Sequence, residues 1–215
     1  MKDKIFSNLI FERFSIYYRC LNKMISDNNQ KEFTDSNELS YLLNIDPSLI
    51  RRDLSLIGKI GKRGMGYSIN ALKSGIENIL GKNKIWKLAL IGIGNLGRAI
   101  LRYILNNTSS NYSVVKLYDN DPAKIGISIE GIDIKNFDTI NKHIDFNIGL
   151  ITVPADSAQA IADKLVDCNI KAIMNFAPIK LSLPNDIFYR EVDLIKELDI
   201  LTGMLNFNNA IQKSS

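Results

Sequence analysis

Histidine and cysteine are scarce in this chain. One histidine, His143, and two cysteines, Cys20 and Cys168, stand among 215 residues. That shortage argues against a histidine-based catalytic triad and against a Cys/His metal centre, and two distant thiols make no disulfide framework. No catalytic residue and no metal ligand is assigned. Long apolar runs are missing too: none approaches the roughly 18 residues that a membrane-spanning helix requires. The opening stretch MKDKIFSNLIFERF is charged throughout and lacks the apolar centre of a secretory signal. A cytoplasmic protein with no membrane partner is the expectation. Hydrophobic residues make up 46% of the chain, enough for a buried core, and the length suits one large domain or two modest ones.

Net charge is small, +4, but unevenly placed. Residues 1–85 hold 14 Lys or Arg against 9 Asp or Glu, and the remainder holds 13 against 14. A basic surplus confined to the front suggests a nucleic-acid-facing N-terminal part; a solvated basic surface is the plainer alternative.

What the chain does have is a glycine turn. The apolar run Leu88-Ala89-Leu90-Ile91 leads into Gly92-Ile93-Gly94-Asn95-Leu96-Gly97, followed by a helix-compatible stretch. This is G-x-G-x-x-G between a strand and a helix, the layout of a dinucleotide-binding turn. Gly92 lets the chain turn, Gly94 lets the backbone approach a pyrophosphate, and Gly97 lets the helix pack against the strand. The N–H groups at the helix start then face the phosphates. A second strand, Tyr112 to Tyr118, ends at Asp119, where a ribose-binding carboxylate belongs. Such an acid repels a 2′-phosphate, so NAD(H) is favoured over NADP(H). Asp121 is the nearest competitor, and a plain Asp-Asn-Asp-Pro turn is the alternative.

Ahead of this turn, apolar residues from Leu9 to Ile25 recur at spacings of three and four, an amphipathic helix ended by Asp27-Asn28-Asn29-Gln30. A second helix starts near Asp35, with Glu38 completing a capping box and Leu39, Leu42 and Leu43 facing inward. A third starts at Asp46-Pro47 and stops at Gly58. Ile50, Leu54 and Ile57 face inward, leaving Ser48, Arg51, Arg52 and Ser55 outside. That pair resembles a helix-turn-helix whose second helix enters the major groove. An arginine fork there matches guanine O6 and N7. Asp53 could instead neutralise a neighbouring arginine on an ordinary surface helix. Gly58 to Tyr67 then places four glycines and three cations (Lys59, Lys62, Arg63) in ten residues. It reads as a β-hairpin wing with Lys62 and Arg63 at the tip. A phosphate cradle is the alternative, which the position after a helix-turn-helix disfavours. A short helix, Ala71 to Leu80, and a polar linker, Gly81 to Lys84, complete this part.

Beyond Asp119, Ile125 to Ile134 reads as a short strand pair or loop, and Thr139 to Lys142 as a polar helix end beside a structural His143. Phe146 to Val153 and Ile170 to Phe176 read as buried strands flanking a helix from Asp156 to Asp167. Both strands close at a proline. Ligands of open parallel sheets sit at the strands' carboxyl ends, so Thr152-Val153-Pro154-Ala155 and Asn175-Phe176-Ala177-Pro178 are candidate cofactor walls. A last helix, about Asp193 to Phe207, carries Leu194, Ile195, Leu198, Leu201 and Leu205 in a stripe, packed on its own domain or on a partner subunit. The fold expected is α/β, with a winged-helix domain over residues 1–80 and a Rossmann-type doubly wound parallel sheet over 85–190. Residues 191–215 follow as a C-terminal helical segment.

Together these motifs resemble one family, Rex, the redox-sensing winged-helix repressors that read the NADH/NAD⁺ ratio. The likeness spans nearly the whole chain. It rests on Arg51-Arg52-Asp53-Leu54-Ser55, Gly58, Gly61, Arg63-Gly64, Gly66-Tyr67, the glycine turn, Thr152–Ala155 and Asn175–Pro178. The resemblance implies a homodimer with the C-terminal helix swapped between subunits and lodged near the partner's DNA-binding domain. It also implies a palindromic double-stranded operator, released when NADH binds and retained with NAD⁺. It places Tyr103 near the nicotinamide, and makes Asp193 and Arg19 an acid and base that exchange partners between states. Ser48, Arg51, Arg52, Ser55, Lys59, Lys62, Arg63 and Tyr67 are the DNA-facing candidates. Leu56, Ile57 and Ile60 stand where members commonly carry aromatics, and Lys59 where they carry an acid. A small NAD-dependent dehydrogenase with an N-terminal appendage is the rival, and a nucleotide-gated assembly factor that never touches DNA is a third option. The first lacks a substrate domain and a placed acid or base; the basic wing counts against the second.

Overall fold

The computed structural model describes residues 8–27, 31–107 and 111–213. The chain divides into two compact units, Met1–Lys84 and Ile85–Ser215. Asn28, Asn29 and Gln30, expected as a helix stop, lie outside the described residues.

The first unit runs α1 (Asn8–Asp27), β1 (Phe33–Thr34), α2 (Ser36–Leu43), α3 (Pro47–Ser55), β2 (Gly61–Lys62), β3 (Gly66–Ser68) and α4 (Ile69–Leu80). Asp35 caps α2 by accepting the N–H groups of Asn37 and Glu38, and Asp46 caps α3 in the same way. The reciprocal half of the expected capping box is absent. Glu38 instead pairs with Lys31 and accepts the Thr34 hydroxyl. Phe14, Tyr17, Leu21, Leu39, Ile50, Leu54, Ile69, Leu72 and Ile76 form one core. Leu42, expected inside, is half exposed, because Leu39 alone of that stripe reaches full burial.

The wing is a three-stranded sheet of order β1-β3-β2, antiparallel throughout. Its turn is closed by Met65 N–H donating to Lys62 O at 3.0 Å, with Gly64 at φ +80°. Gly66 sits at φ +86°, and a β-carbon there would collide with the Thr34 carbonyl. Glycine at 66 thus lets β1 close the sheet. The strand β1 was not foreseen, being only two residues long.

The second unit runs β4 (Trp86–Ile91), α5 (Asn95–Asn106), β5 (Tyr112–Asp119), β6 (Ser128–Ile129), β7 (Ile132–Asn136), β8 (Ile148–Ile151), α6 (Ala155–Asp167), β9 (Ala172–Asn175), β10 (Phe188–Glu191) and α7 (Leu194–Lys213). Strand order is β10-β9-β8-β4-β5-β7-β6, parallel except for the β6–β7 hairpin. Without the hairpin arm this is the 3-2-1-4-5-6 order of a doubly wound Rossmann sheet, which reverses between β4 and β8. Helix α5 packs Leu101 against Leu88, Leu90 and Leu117 on one face. On the other, α6 packs Ala158, Ile161, Ala162 and Leu165 against Ala89, Ile91, Ile151 and Ile173. The crossover from β7 to β8 holds only a 3-10 turn, Phe137–Thr139, capped by Asn136. This replaces the expected helix end at 139–142, and His143 lies exposed in the loop beyond it.

Among the described residues, no helix is long and apolar enough to cross a membrane and no cluster of His, Cys, Asp or Glu could hold a metal. Every described side chain from Leu194 to Asn208 on α7 is exposed. Met204 and Phe207 are 66% and 70% exposed, so apolar side chains beyond the expected stripe also meet solvent.

Candidate functional site

The helix α3 turns Ile50, Asp53 and Leu54 inward. At 3.6 residues per turn, Ser48, Arg52 and Ser55 lie on the opposite side and Arg51 on the flank. Arg51 donates from Nη1 to Ser36 Oγ at 2.8 Å, which ties it to the start of α2. The Ser48 hydroxyl is engaged by Asp46, and Ser55 donates back to the Arg52 carbonyl at 2.6 Å. Asp53 does not neutralise either neighbouring arginine. It is 1% exposed and faces α1, where it accepts Arg13 Nε at 2.5 Å, Arg13 Nη2 at 2.8 Å and the Tyr17 hydroxyl at 2.8 Å. Burial and then this carboxylate raise the Tyr17 pKa well above its ordinary value. The Arg13 guanidinium is likewise held charged, chiefly by its hydrogen bond to Asp53.

On the wing, Lys59, Lys62 and Arg63 are exposed. Lys62 stands 5.3 Å above the Phe33 ring, a cation–π contact that steadies it. Tyr67, expected at the DNA face, is partly buried against the first unit's core. Arg51, Arg52, Lys62 and Arg63 are all exposed.

In the second unit, β4 ends at the glycine turn. Gly92 has φ +96°, and a β-carbon there would lie 2.7 Å from Val153 Cγ1 and 2.8 Å from the Thr152 carbonyl. A β-carbon on Gly97 would strike the Gly92 carbonyl, whereas one on Gly94 would meet nothing within 4 Å. Helix α5 starts after Gly94 with no side-chain cap. Its leading N–H groups, at the carboxyl end of β4, are thus left without a side-chain acceptor, the arrangement that binds phosphate.

Asp119 stands at the end of β5, beside this turn. Its Oδ2 accepts the Ile93 N–H at 2.7 Å and Lys124 Nζ at 3.0 Å, and its Oδ1 accepts the Asp121 N–H at 2.9 Å. Burial alone would push this carboxyl up. The bonds from Asp121, Lys124 and Ile93 outweigh it and hold the pKa below the ordinary value. Ile93 itself is fully buried and its N–H is committed to Asp119, so among the turn residues it offers a ligand neither side chain nor donor.

Thr152 donates to the carbonyls of Ile91 and Gly92, at 3.0 and 2.7 Å, and so pins β8 to the glycine turn. Val153 is half-buried and Pro154 exposed beside it. Asn175, expected as a cofactor wall, is fully buried. Its amide donates to Ala177 O and Ile179 O at 3.0 and 2.8 Å and accepts the Ala177 N–H at 3.0 Å. It thereby shapes the loop Phe176-Ala177-Pro178. Ala177 is buried too, leaving Phe176 and Pro178 as the more accessible members.

Tyr103 is 73% exposed on α5. Asp193 caps α7, accepting the N–H groups of Ile195 and Lys196 at 3.0 and 3.2 Å. Arg19 is exposed on α1, in the other unit.

Comparison with known proteins follows the same division. A family model described as "Putative DNA-binding protein N-terminus" matches residues 7–55, and one described as "CoA binding domain" matches residues 83–179. The redox-sensing transcriptional repressor Rex of Geobacillus kaustophilus is 37% identical over 196 residues, covering 90% of this chain and 91% of its own. The chain belongs to the Rex family. Rex of Bacillus subtilis is 35% identical and covers 94% and 93% of the two chains. Among solved structures, the Rex-family repressor RSP in complex with β-NAD⁺ and operator DNA superposes with a TM-score of 0.89 at 32% identity, over 98% of this chain and 97% of that one. RSP in complex with β-NADH gives 0.84 at 30% identity, over 99% and 100%. Rex relatives are thus transcriptional repressors, and the winged-helix and Rossmann units of this chain follow their architecture.

Sequence reasoning missed Lys124, Arg13 and Ser36, and read Tyr17 as a core residue without its hydrogen bond to Asp53. Asp119-x-Asp-x-x-Lys124 was legible as a charge cluster. Arg13 and Tyr17 share a helix face with Phe14 and Leu21, and a charged residue on that face was the available signal.

Proposed function

We propose that this protein is a homodimeric repressor that holds a palindromic operator and releases it when NADH binds. The observation that carries the reading is the pairing, in one chain, of two sites. One is a recognition helix and wing presenting Arg51, Arg52, Lys62 and Arg63. The other is an uncapped glycine-turn helix beside an ionised Asp119. Arg51 and Arg52 serve the major groove, with Ser48 and Ser55 beside them; Lys59, Lys62 and Arg63 serve phosphates and the adjoining minor groove.

The pyrophosphate of NAD(H) lies over Gly94, Asn95, Leu96 and Gly97, with the adenosine ribose on Asp119. Thr152, Val153, Pro154, Phe176 and Pro178 border the rest of the cofactor, and Tyr103 stands near the nicotinamide. Asn175 and Ala177 hold that wall in shape. The exposed apolar length of α7 supports a helix swapped between subunits. Arg19 and Asp193 are the switching pair.

No bond is made or broken. NADH favours one dimer shape over the other, and its differential affinity limits the response. Moving the dimer from mostly competent to mostly released takes about 10⁴-fold discrimination, roughly 5.5 kcal/mol, shared between two cofactors. The dehydrogenase reading is disfavoured because Thr152 and Asn175, at the strand ends, are committed to main-chain partners. A cytoplasmic location follows from DNA binding. A gel-shift titration on one palindromic duplex tests the reading. NADH should release the DNA at far lower concentration than NAD⁺, and affinity should fall steeply with salt. Equal grip with and without saturating NADH would overturn it.

A further inference from the structure

The tip of β5 brings three charged groups together. Lys124 Nζ lies 3.0 Å from Asp119 Oδ2 and 3.5 Å from Asp121 Oδ2. A Rossmann unit of this kind seats the adenosine ribose on the carboxylate at Asp119. From the sequence, an acid alone stands there and repels a 2′-phosphate. The fold adds a cation to the same corner.

Asp119 does not depend on that cation for its orientation. The Ile93 N–H holds Oδ2 at 2.7 Å and the Asp121 N–H holds Oδ1 at 2.9 Å. The carboxylate is 11% exposed, while Lys124 keeps 28% of its side chain in solvent. Lys124 therefore acts on the corner through charge. Two carboxylates and one ammonium leave the corner one formal negative charge; without the ammonium it would carry two. An ammonium has three donors, and two carboxylates occupy two of them. A third remains for an incoming anion.

We propose that Lys124 is a specificity-determining residue: held between Asp119 and Asp121, its ammonium offsets the carboxylate repulsion at the ribose 2′ position and sets how strictly this chain separates NADH from NADPH. The inference rests on the cofactor reading above. In that frame the acid at Asp119 accepts the ribose hydroxyls, while Lys124 decides how far a phosphorylated ribose is refused.

Fluorescence titrations of full-length wild type, Lys124→Met and Lys124→Arg with NADH and with NADPH, at one ionic strength, test this. The NADPH/NADH ratio of Kd values should rise about tenfold or more in Lys124→Met, an effect of about 1.4 kcal/mol, and stay within about threefold of wild type in Lys124→Arg. NADH binding is the internal control for folding. A ratio unchanged in Lys124→Met, or both affinities lost together, would overturn the proposal and make Lys124 an anchor of the glycine turn. Wild type that binds neither cofactor would instead overturn the cofactor reading itself.

Discussion

The carboxylate of Asp53 faces away from the two arginines that precede it and grips Arg13, 40 residues earlier, at 2.5 and 2.8 Å. The pair is buried on the acid side and receives the Tyr17 hydroxyl as well. Two helices are thereby locked: α1, which carries Arg19, and α3, which carries Arg51 and Arg52. Removing Asp53 leaves the partly buried Arg13 guanidinium and the buried Tyr17 hydroxyl without their acceptor. Asp53→Ala should cost the first unit about 1–3 kcal/mol. Thermal unfolding should show this, and DNA binding should fail with it. NADH binding should persist, since the glycine turn belongs to the other unit.

Tyr17 adds a pH dependence of definite sign. Its pKa is raised in the folded chain, first by burial and then by Asp53. The stability it contributes is fully present below the ordinary tyrosine value near 10 and is lost as pH rises through that value toward the folded one. Wild type should therefore lose stability more steeply than Tyr17→Phe between roughly pH 10 and 11. Denaturant melts across that window measure it; parallel curves would remove Tyr17 from the account.

The two arginines of α3 should differ. Arg52 lies opposite the buried side, whereas Arg51 is tied to Ser36 at 2.8 Å on the flank. Arg52→Ala should relax specificity at one base pair by about 1–3 kcal/mol. Arg51→Ala should weaken all sequences nearly evenly. Both should spare NADH binding. A panel of single-base operator variants separates these outcomes, and wild-type behaviour in both would move the reading surface elsewhere.

Asp119→Ala should weaken NADH binding and leave DNA binding in its absence intact. Equal loss of both would point to misfolding. Because its pKa is lowered, the stability Asp119 contributes is present above the ordinary aspartate value near 3.9 and is lost only as pH falls below it. Cofactor affinity should accordingly show no step from this group between about pH 6 and 8.

Helix α7 should decide the oligomeric state. Leu198 and Leu201 are 55% and 54% exposed in the single chain. Burying a leucine contributes about 1.5–3 kcal/mol. Replacing both with glutamate should yield monomers in sedimentation velocity, with NADH sensitivity of DNA binding lost. Retained dimers would place the subunit contact away from this helix.

Much of this was legible from local pattern. The spacing of Phe14, Tyr17 and Leu21, the caps Asp35 and Asp46, and the glycines around Ile93 each act over a few residues, so they can be read along the chain. What escaped was short or non-local. Strand β1 is two residues long and has no alternation to detect. Strand β10 alternates only partly exposed residues and pairs along one side, with β9. Only the fold revealed that the Asn175 amide closes on Ala177 and Ile179.

The sequence by itself determined the two-part organisation, the helix-turn-helix with its basic wing, and the glycine turn followed 22 residues later by Asp119. Those follow from backbone preferences and periodicity, which are local. Tertiary structure alone decided that Asp53 turns inward onto Arg13, that Asp119 accepts the Ile93 N–H, that Tyr67 packs toward the core and that α7, along its described side chains, packs on nothing within its own chain. Each depends on which surfaces meet, and packing brings together charges that no spacing rule connects.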